Sequence, residues 1–135
     1  MATIVVGWDA SPQARSALAA AARLAPDGRL VVVHVREARR DHPTARWQEL
    51  SEMEADERSR ALLAEAKAPA GAQLELRSAD GDPAEALIEV AGEVGADAIA
   101  VGTRGLGGAS AFVGSVSETL LREARTPVLV IPPST

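Results

Sequence analysis

The sequence predicts an α/β domain, an open sheet of five parallel strands with helices on both faces. Three observations predict it. Short runs rich in β-branched residues alternate with alanine-rich stretches of helical period, the pattern of successive βαβ units. Several of those runs, PVLVIP among them, are continuously apolar, as expected of strands covered on both sides. The 135 residues suffice for one core and leave no room for a second, so residues 1–135 are read as a single domain.

In chain order, TIVVGW (3–8) is β1. Ser11 and Pro12 then open the first helix: a serine hydroxyl accepts an orphan amide N–H, and proline at the next position has no N–H to satisfy. LVVVHV (30–35) is β2 and is followed by a polar connection, REARRDHPT (36–44). Residues 45–66 form the longest helical candidate, with Trp47, Leu50, Met53 and Leu62 only loosely periodic. Its acidic run, Glu49, Glu52, Glu54, Asp56 and Glu57, reads as a solvated face. QLELRSA (73–79) is β3; it alternates, which suits a sheet edge. Asp82 and Pro83 start the next helix, Glu85 suits the positive end of its dipole, and Gly95 stops it. DAIAV (97–101) is β4, and PVLVIP (127–132) is β5. Between them lies the glycine-rich GTRGLGGASAFVGS (102–115), which leads into a last helix.

Composition narrows the function. A net charge of −5 argues against a phosphate-backbone binder, because that affinity is built from clustered Lys and Arg. No nucleic-acid partner is expected. The absence of cysteine excludes disulfides, thiolate catalysis and thiolate zinc sites. The start MATIVVGWDASP has no basic leader region, and no run of about 20 apolar residues occurs, so the expectation is a cytoplasmic protein without membrane contact. No His/Asp/Glu cluster at metal-ligand spacing stands out.

In an open parallel sheet, ligands bind beyond the carboxyl ends of the strands, where the strand order reverses. The loops after β1 (7–11) and after β4 therefore matter most. The β4 loop is not a P-loop, since five residues instead of four lie between Gly108 and Gly114, and Ser115 follows with no lysine. Nor is it a dinucleotide fingerprint, because Ser110 stands where a third glycine is needed. Glycines at 102 and 105 permit positive φ and let backbone N–H groups approach an anion. Ser115, at a helix start, lies where unpaired N–H groups attract an oxyanion. Ser115 and Glu118 also match a plain capping box, which needs no ligand.

From IVVGWDASP through LVVVHV, GDPAEAL, ADAIAVGTRG and GSVSETLL to PVLVIPP, nearly the whole chain resembles the universal stress protein family. The resemblance implies a Rossmann-like, adenine-nucleotide-binding fold with strand order 3-2-1-4-5. It implies ATP as ligand, with any Mg²⁺ arriving on the nucleotide's phosphates and keeping water ligands. Carried over by position, Gly102, Gly105, Gly114 and Ser115 hold the phosphates, Asp9 lies near ribose and adenine, and Val35 borders adenine. Arg104, between the first two glycines, is a lesser candidate for a phosphate. The family pattern is G-x2-G-x9-G-[ST], whereas eight residues separate Gly105 from Gly114 here. One missing residue removes up to about 3.5 Å of reach. The resemblance further implies a homodimer through the last strand.

Three functions follow from these readings. The first is an ATP-binding universal stress protein acting as a nucleotide-dependent stress-response regulator or adaptor toward protein partners. The second is a dimeric family member that does not bind ATP and works through protein contacts, which suits the short spacing. The third is a slow ATP hydrolase, the weakest because no general base is placed against the loop. Against them stand structural alternatives for single residues. Asp9 also suits an Asx turn beside Ser11. His34 reads as a hydrogen-bonded strand residue, and Trp8 as a packing residue.

Overall fold

A computed structural model describes residues 1–36, 45–103 and 114–132, with the backbone alone at 45–48, 50 and 51. The strands are β1 (Thr3–Gly7), β2 (Arg29–Arg36), β3 (Gln73–Asp80), β4 (Ala98–Gly102) and β5 (Val128–Ile131). The helices are α1 (Pro12–Leu24), α2 (Ala45–Ala64), α3 (Pro83–Val94) and α4 (Ser115–Glu123). All strand pairs are parallel, in the order β3-β2-β1-β4-β5.

Strand ends shift by at most one residue from expectation, and backbone chemistry explains the last strand. Pro127 and Pro132 have no N–H for the ladder, so β5 lies between them, although the Pro127 carbonyl still accepts the Ile99 N–H at 2.9 Å. The second helix ends at Ala64 instead of residue 66. There the Glu65 and Ala66 amides reach back only three residues, to the Leu62 and Leu63 carbonyls, and tighten the last turn.

Period-two alternation divides the core into two layers. Ile4, Val6, Leu30, Val32 and Ala100 face α1, with Leu63 of α2 in the same cluster. Val5, Val31, Val33, Ile99 and Val101 face α3 and α4. The central valines are fully buried, which accounts for the continuously apolar runs. Two helices therefore cover each face, and β1 and β4 are central neighbours whose chains leave in opposite directions.

The two edges differ. β3 carries a chain of ion pairs, Arg29 to Glu75, Glu75 to Arg77 and Arg77 to Glu93. Hydrogen bonds from Arg29 and Arg77 hold the Glu75 carboxyl below its ordinary range. Such charges discourage pairing with another chain. β5, at the other edge, is apolar and half-buried along its whole length.

Candidate functional site

The carboxyl ends of β1 and β4 diverge into a cleft of about 400 Å³. Its first wall is the β1–α1 junction. The Trp8 N–H still donates to the Val33 carbonyl at 2.8 Å, and then the chain turns. An Asp9 carboxylate oxygen accepts the Ser11 N–H at 2.9 Å, closing an Asx turn. Ala10 sits at φ 61°, left-handed backbone that costs a non-glycine residue about 1–2 kcal/mol. Ser11 then caps α1, its hydroxyl accepting the Ala14 N–H at 3.1 Å ahead of Pro12. The expected cap is therefore present.

The second wall is the end of β4 and the start of α4. Gly102 does not adopt positive φ, contrary to the role expected from its sequence context. Its requirement is space: a Cβ here would stand 2.6 Å from the Gln13 carbonyl oxygen and 2.7 Å from the Gln13 carbonyl carbon. Absence of that Cβ lets the first turn of α1 lie directly on the strand end. Gly7 is also closely packed, with Val101 and Leu87 side chains 3.1 and 3.3 Å from where a Cβ would stand.

The capping box expected at Ser115 and Glu118 does not form. Gly114 is the N-cap of α4 and offers no side-chain cap, so Ser115 is already the first helical residue and Glu118 lies one position too far along. The Glu118 amide instead bonds the Gly114 carbonyl at 2.9 Å as the first helical hydrogen bond. Among the described residues, the first-turn amides of α4 have no intrahelical acceptor and no side-chain cap from Gly114. Ser117, buried in this turn, donates its hydroxyl to the Gly102 carbonyl at 3.3 Å and ties the helix to the strand.

Of the seven nucleotide-site residues that the resemblance implied, four line this one cleft: Asp9, Val35, Gly102 and Gly114. Ser115 is exposed beside Gly114 and is not among the lining residues. Arg104 and Gly105 lie outside the described residues. Packing adds residues that the sequence did not single out, notably Gln13, Leu87, Thr103 and Ser117. Ser117 had a readable signal, since it follows Gly114 within the same opening turn. Leu87 had none, because α3 arrives from the opposite face.

His34 also lines the cleft. Its Nδ1 lies 2.8 Å from the Ser59 hydroxyl, which lies 2.6 Å from the Ser78 hydroxyl. Burial pushes the imidazole pKa down; the Asp9 charge opposes that shift and the Arg36 charge adds to it. The expected hydrogen-bonded strand histidine is what the structure shows. Ser59 is fully buried, so this pair offers no nucleophile to a substrate. The Trp8 indole Nε1 donates to the Leu62 carbonyl at 2.7 Å, and its ring is buried as a packing residue.

Chemically, the cleft joins an apolar interior, built from Val33, Val35, Leu87 and Val101, to a mouth of backbone amides and a single carboxylate. Among the described residues no buried side-chain nitrogen or oxygen lacks a partner, and the first-turn amides of α4 add backbone donors at the mouth. Such an arrangement accepts a planar apolar ring on one side and an anion on the other. Asp9 is the only carboxylate among the described lining residues, and no described group of three or more His, Asp or Glu residues could hold a metal. A divalent cation would depend on a ligand's own oxygens and on water. No described helix is long and apolar enough to cross a membrane.

Comparison with known proteins follows the same geometry. The family model described as the universal stress protein family matches residues 1–132. A relative from Thermus aquaticus, described as a universal stress protein in the QAH/OAS sulfhydrylase 3'region, is 38% identical over 133 residues, covering 96% of this chain and 97% of that protein. The crystal structure of a universal stress family protein from Burkholderia pseudomallei is 35% identical with a TM-score of 0.74, covering 98% of this chain and 96% of that one. A universal stress protein crystallised in complex with cAMP is 28% identical with a TM-score of 0.65, covering 98% of both chains.

Proposed function

The chain belongs to the universal stress protein family, and from that premise we propose that its carboxyl-end cleft binds an adenine nucleotide, ATP foremost, and that the protein acts as a nucleotide-dependent stress-response regulator or adaptor. The observation that supports this best is the meeting of Asp9, Val35, Gly102 and Gly114 in one cleft at the divergence of β1 and β4. The similar protein with cAMP bound supports the adenine class of ligand.

In this function the apolar interior beside Val35 takes the adenine, and Asp9 offers its second carboxylate oxygen to ribose hydroxyls. Phosphates meet Gly102, Arg104, Gly105, Gly114 and Ser115, where uncapped α4 amides and the positive dipole end favour negative charge. Mg²⁺ enters on the phosphates with water completing its shell. No accessible nucleophile and base pair lines the described part of the cleft, so the output is a change of conformation or partner and hydrolysis is slow at most. The lack of cysteine suits a cytoplasmic setting.

The half-buried apolar edge of β5, set against the charged edge of β3, supports pairing with a second copy through β5. Solution mass tests it: a dimer has twice the 14.0 kDa of the chain, and a 14.0 kDa species removes it. The eight-residue interval between Gly105 and Gly114 favours one other function, a family member that works by protein contact without ATP. One experiment separates the two. Freshly purified protein is denatured and its released small molecules are analysed for adenine nucleotides, and refolded protein is titrated calorimetrically with Mg-ATP, AMP and cAMP. Release or saturable binding of any of these supports the nucleotide function, and silence toward all three leaves only the contact function.

A further inference from the structure

A second cavity, of about 490 Å³, lies on the far side of α1 from the cleft. Its walls are α1 and the connection between α2 and β3, with Trp8 common to both cavities. Arg15, Leu18, Ala19 and Arg23 form one stripe of α1 along it, while Lys67 and Pro69 stand on the other wall. These spacings place 15, 18, 19 and 23 on one helix face.

The charge of this groove is opposite to that of the chain. Three cations, Arg15, Arg23 and Lys67, face one carboxylate, Glu65, in a protein of net charge −5. Arg15 is held in place, 3.1 Å from Glu65 and with its guanidinium 5.5 Å from the centroid of the Trp8 ring. Among the described residues Arg23 and Lys67 have no ion-pair partner. Between the cations the floor is apolar, made of Leu18, Ala19 and Pro69.

The geometry points to a docking groove for an extended acidic segment of a partner protein. Arg15 and Arg23 are eight residues apart on a helix that rises about 1.5 Å per residue, so their backbone positions are roughly 12 Å apart. An extended peptide advances about 3.3 Å per residue, so carboxylates four positions apart match that span. The residue midway between them projects to the same side and meets the apolar floor. One carboxylate faces Arg15 and Lys67, and the other faces Arg23. This assignment holds whether or not the cleft takes a nucleotide, since among the described residues Trp8 alone belongs to both cavities.

The test uses a fluorescein-labelled heptapeptide, Gly-Asp-Ser-Leu-Ser-Asp-Gly, and its control with asparagine at both aspartate positions. Fluorescence anisotropy is read against the full-length protein in low salt and without nucleotide. The expected result is binding of the acidic peptide about tenfold or more tighter than the control, weakened as salt rises. Arg23→Glu with Lys67→Glu should lose that preference, and Arg23→Gln with Lys67→Gln should reduce it. Both variants should keep the parent's circular dichroism and its Mg-ATP titration, whatever that titration shows. Equal binding of the two peptides overturns the assignment, as does full retention of the preference by both variants. Binding of a labelled single-stranded oligonucleotide that depends on Arg23 and Lys67, with none of the peptide, would replace an acidic protein partner with a nucleic acid.

Discussion

The two strand-to-helix junctions of the cleft are built in opposite ways. At β1–α1 the turn completes itself: Asp9 accepts one amide, Ser11 accepts another, and Pro12 removes a third. At β4–α4 the helix begins at a glycine that caps nothing through a side chain, and its serine hydroxyls bond elsewhere or face solvent. The difference teaches where an anion would find donors. A junction that satisfies its own amides is scaffold, and one that leaves them open is suited to a ligand.

The comparison can be broken hardest at Gly102, where both junctions touch. Gly102→Val would drive a branched side chain into the Gln13 backbone, and we expect a loss of about 3 kcal/mol in urea unfolding together with loss of nucleotide binding. A change below about 1 kcal/mol would mean that the contact yields easily.

Gly114→Asp sharpens the contrast because its two effects have opposite signs. Gly114 has ordinary extended backbone, φ −63° and ψ 163°, which any residue adopts, so an aspartate there should cap α4 and add about 0.5–1 kcal/mol of stability. The same carboxylate consumes a donor and repels phosphate, so ATP affinity should fall about tenfold, or roughly 1.4 kcal/mol. Calorimetry and denaturant titration on one sample read both. Parallel loss of stability and affinity would refute the open-junction description.

A paired serine test is smaller. Ser11→Ala should cost about 1 kcal/mol because a cap is lost, whereas Ser115→Ala should stay within about 0.5 kcal/mol because that hydroxyl caps nothing. Equal costs would mean that the two junctions are alike.

The smallest effect is that of pH. His34 has a depressed pKa in the folded chain, so the unfolded chain takes up the proton first as pH falls. Stability from this group is complete above its ordinary value of 6.5 and is lost as pH descends from there toward the folded value. His34→Gln should flatten that part of a stability–pH profile, and an unchanged slope would show that another group titrates there.

Sequence reasoning reached furthest where structure is local. Ser11 and Asp82 cap their helices as their neighbours suggest, and Gly95 ends α3 in left-handed conformation at φ 63°. The alternation in QLELRSA identified an edge because one face of β3 is largely left open, with Leu74 and Leu76 exposed. Reasoning stopped where tertiary contact decides. Gly102 was expected to permit positive φ and the approach of an anion, but what requires a glycine there is the backbone at Gln13, which no neighbouring residue announces. The Ser115 and Glu118 pair matched a capping box, yet α4 starts one residue earlier than that box requires. Asp9 was legible in both of its positions: its Asx turn forms, and the loop after β1 brings it to the cleft mouth because the strand order reverses there.

Trp8 carries a practical consequence. Its indole is buried, hydrogen-bonded to Leu62, stacked near Arg15, and shared by the walls of both cavities. The chain has only one other tryptophan, Trp47, so Trp47→Phe leaves a protein with a single tryptophan. Emission from that protein becomes an intrinsic optical gauge of the one described residue that borders both cleft and groove.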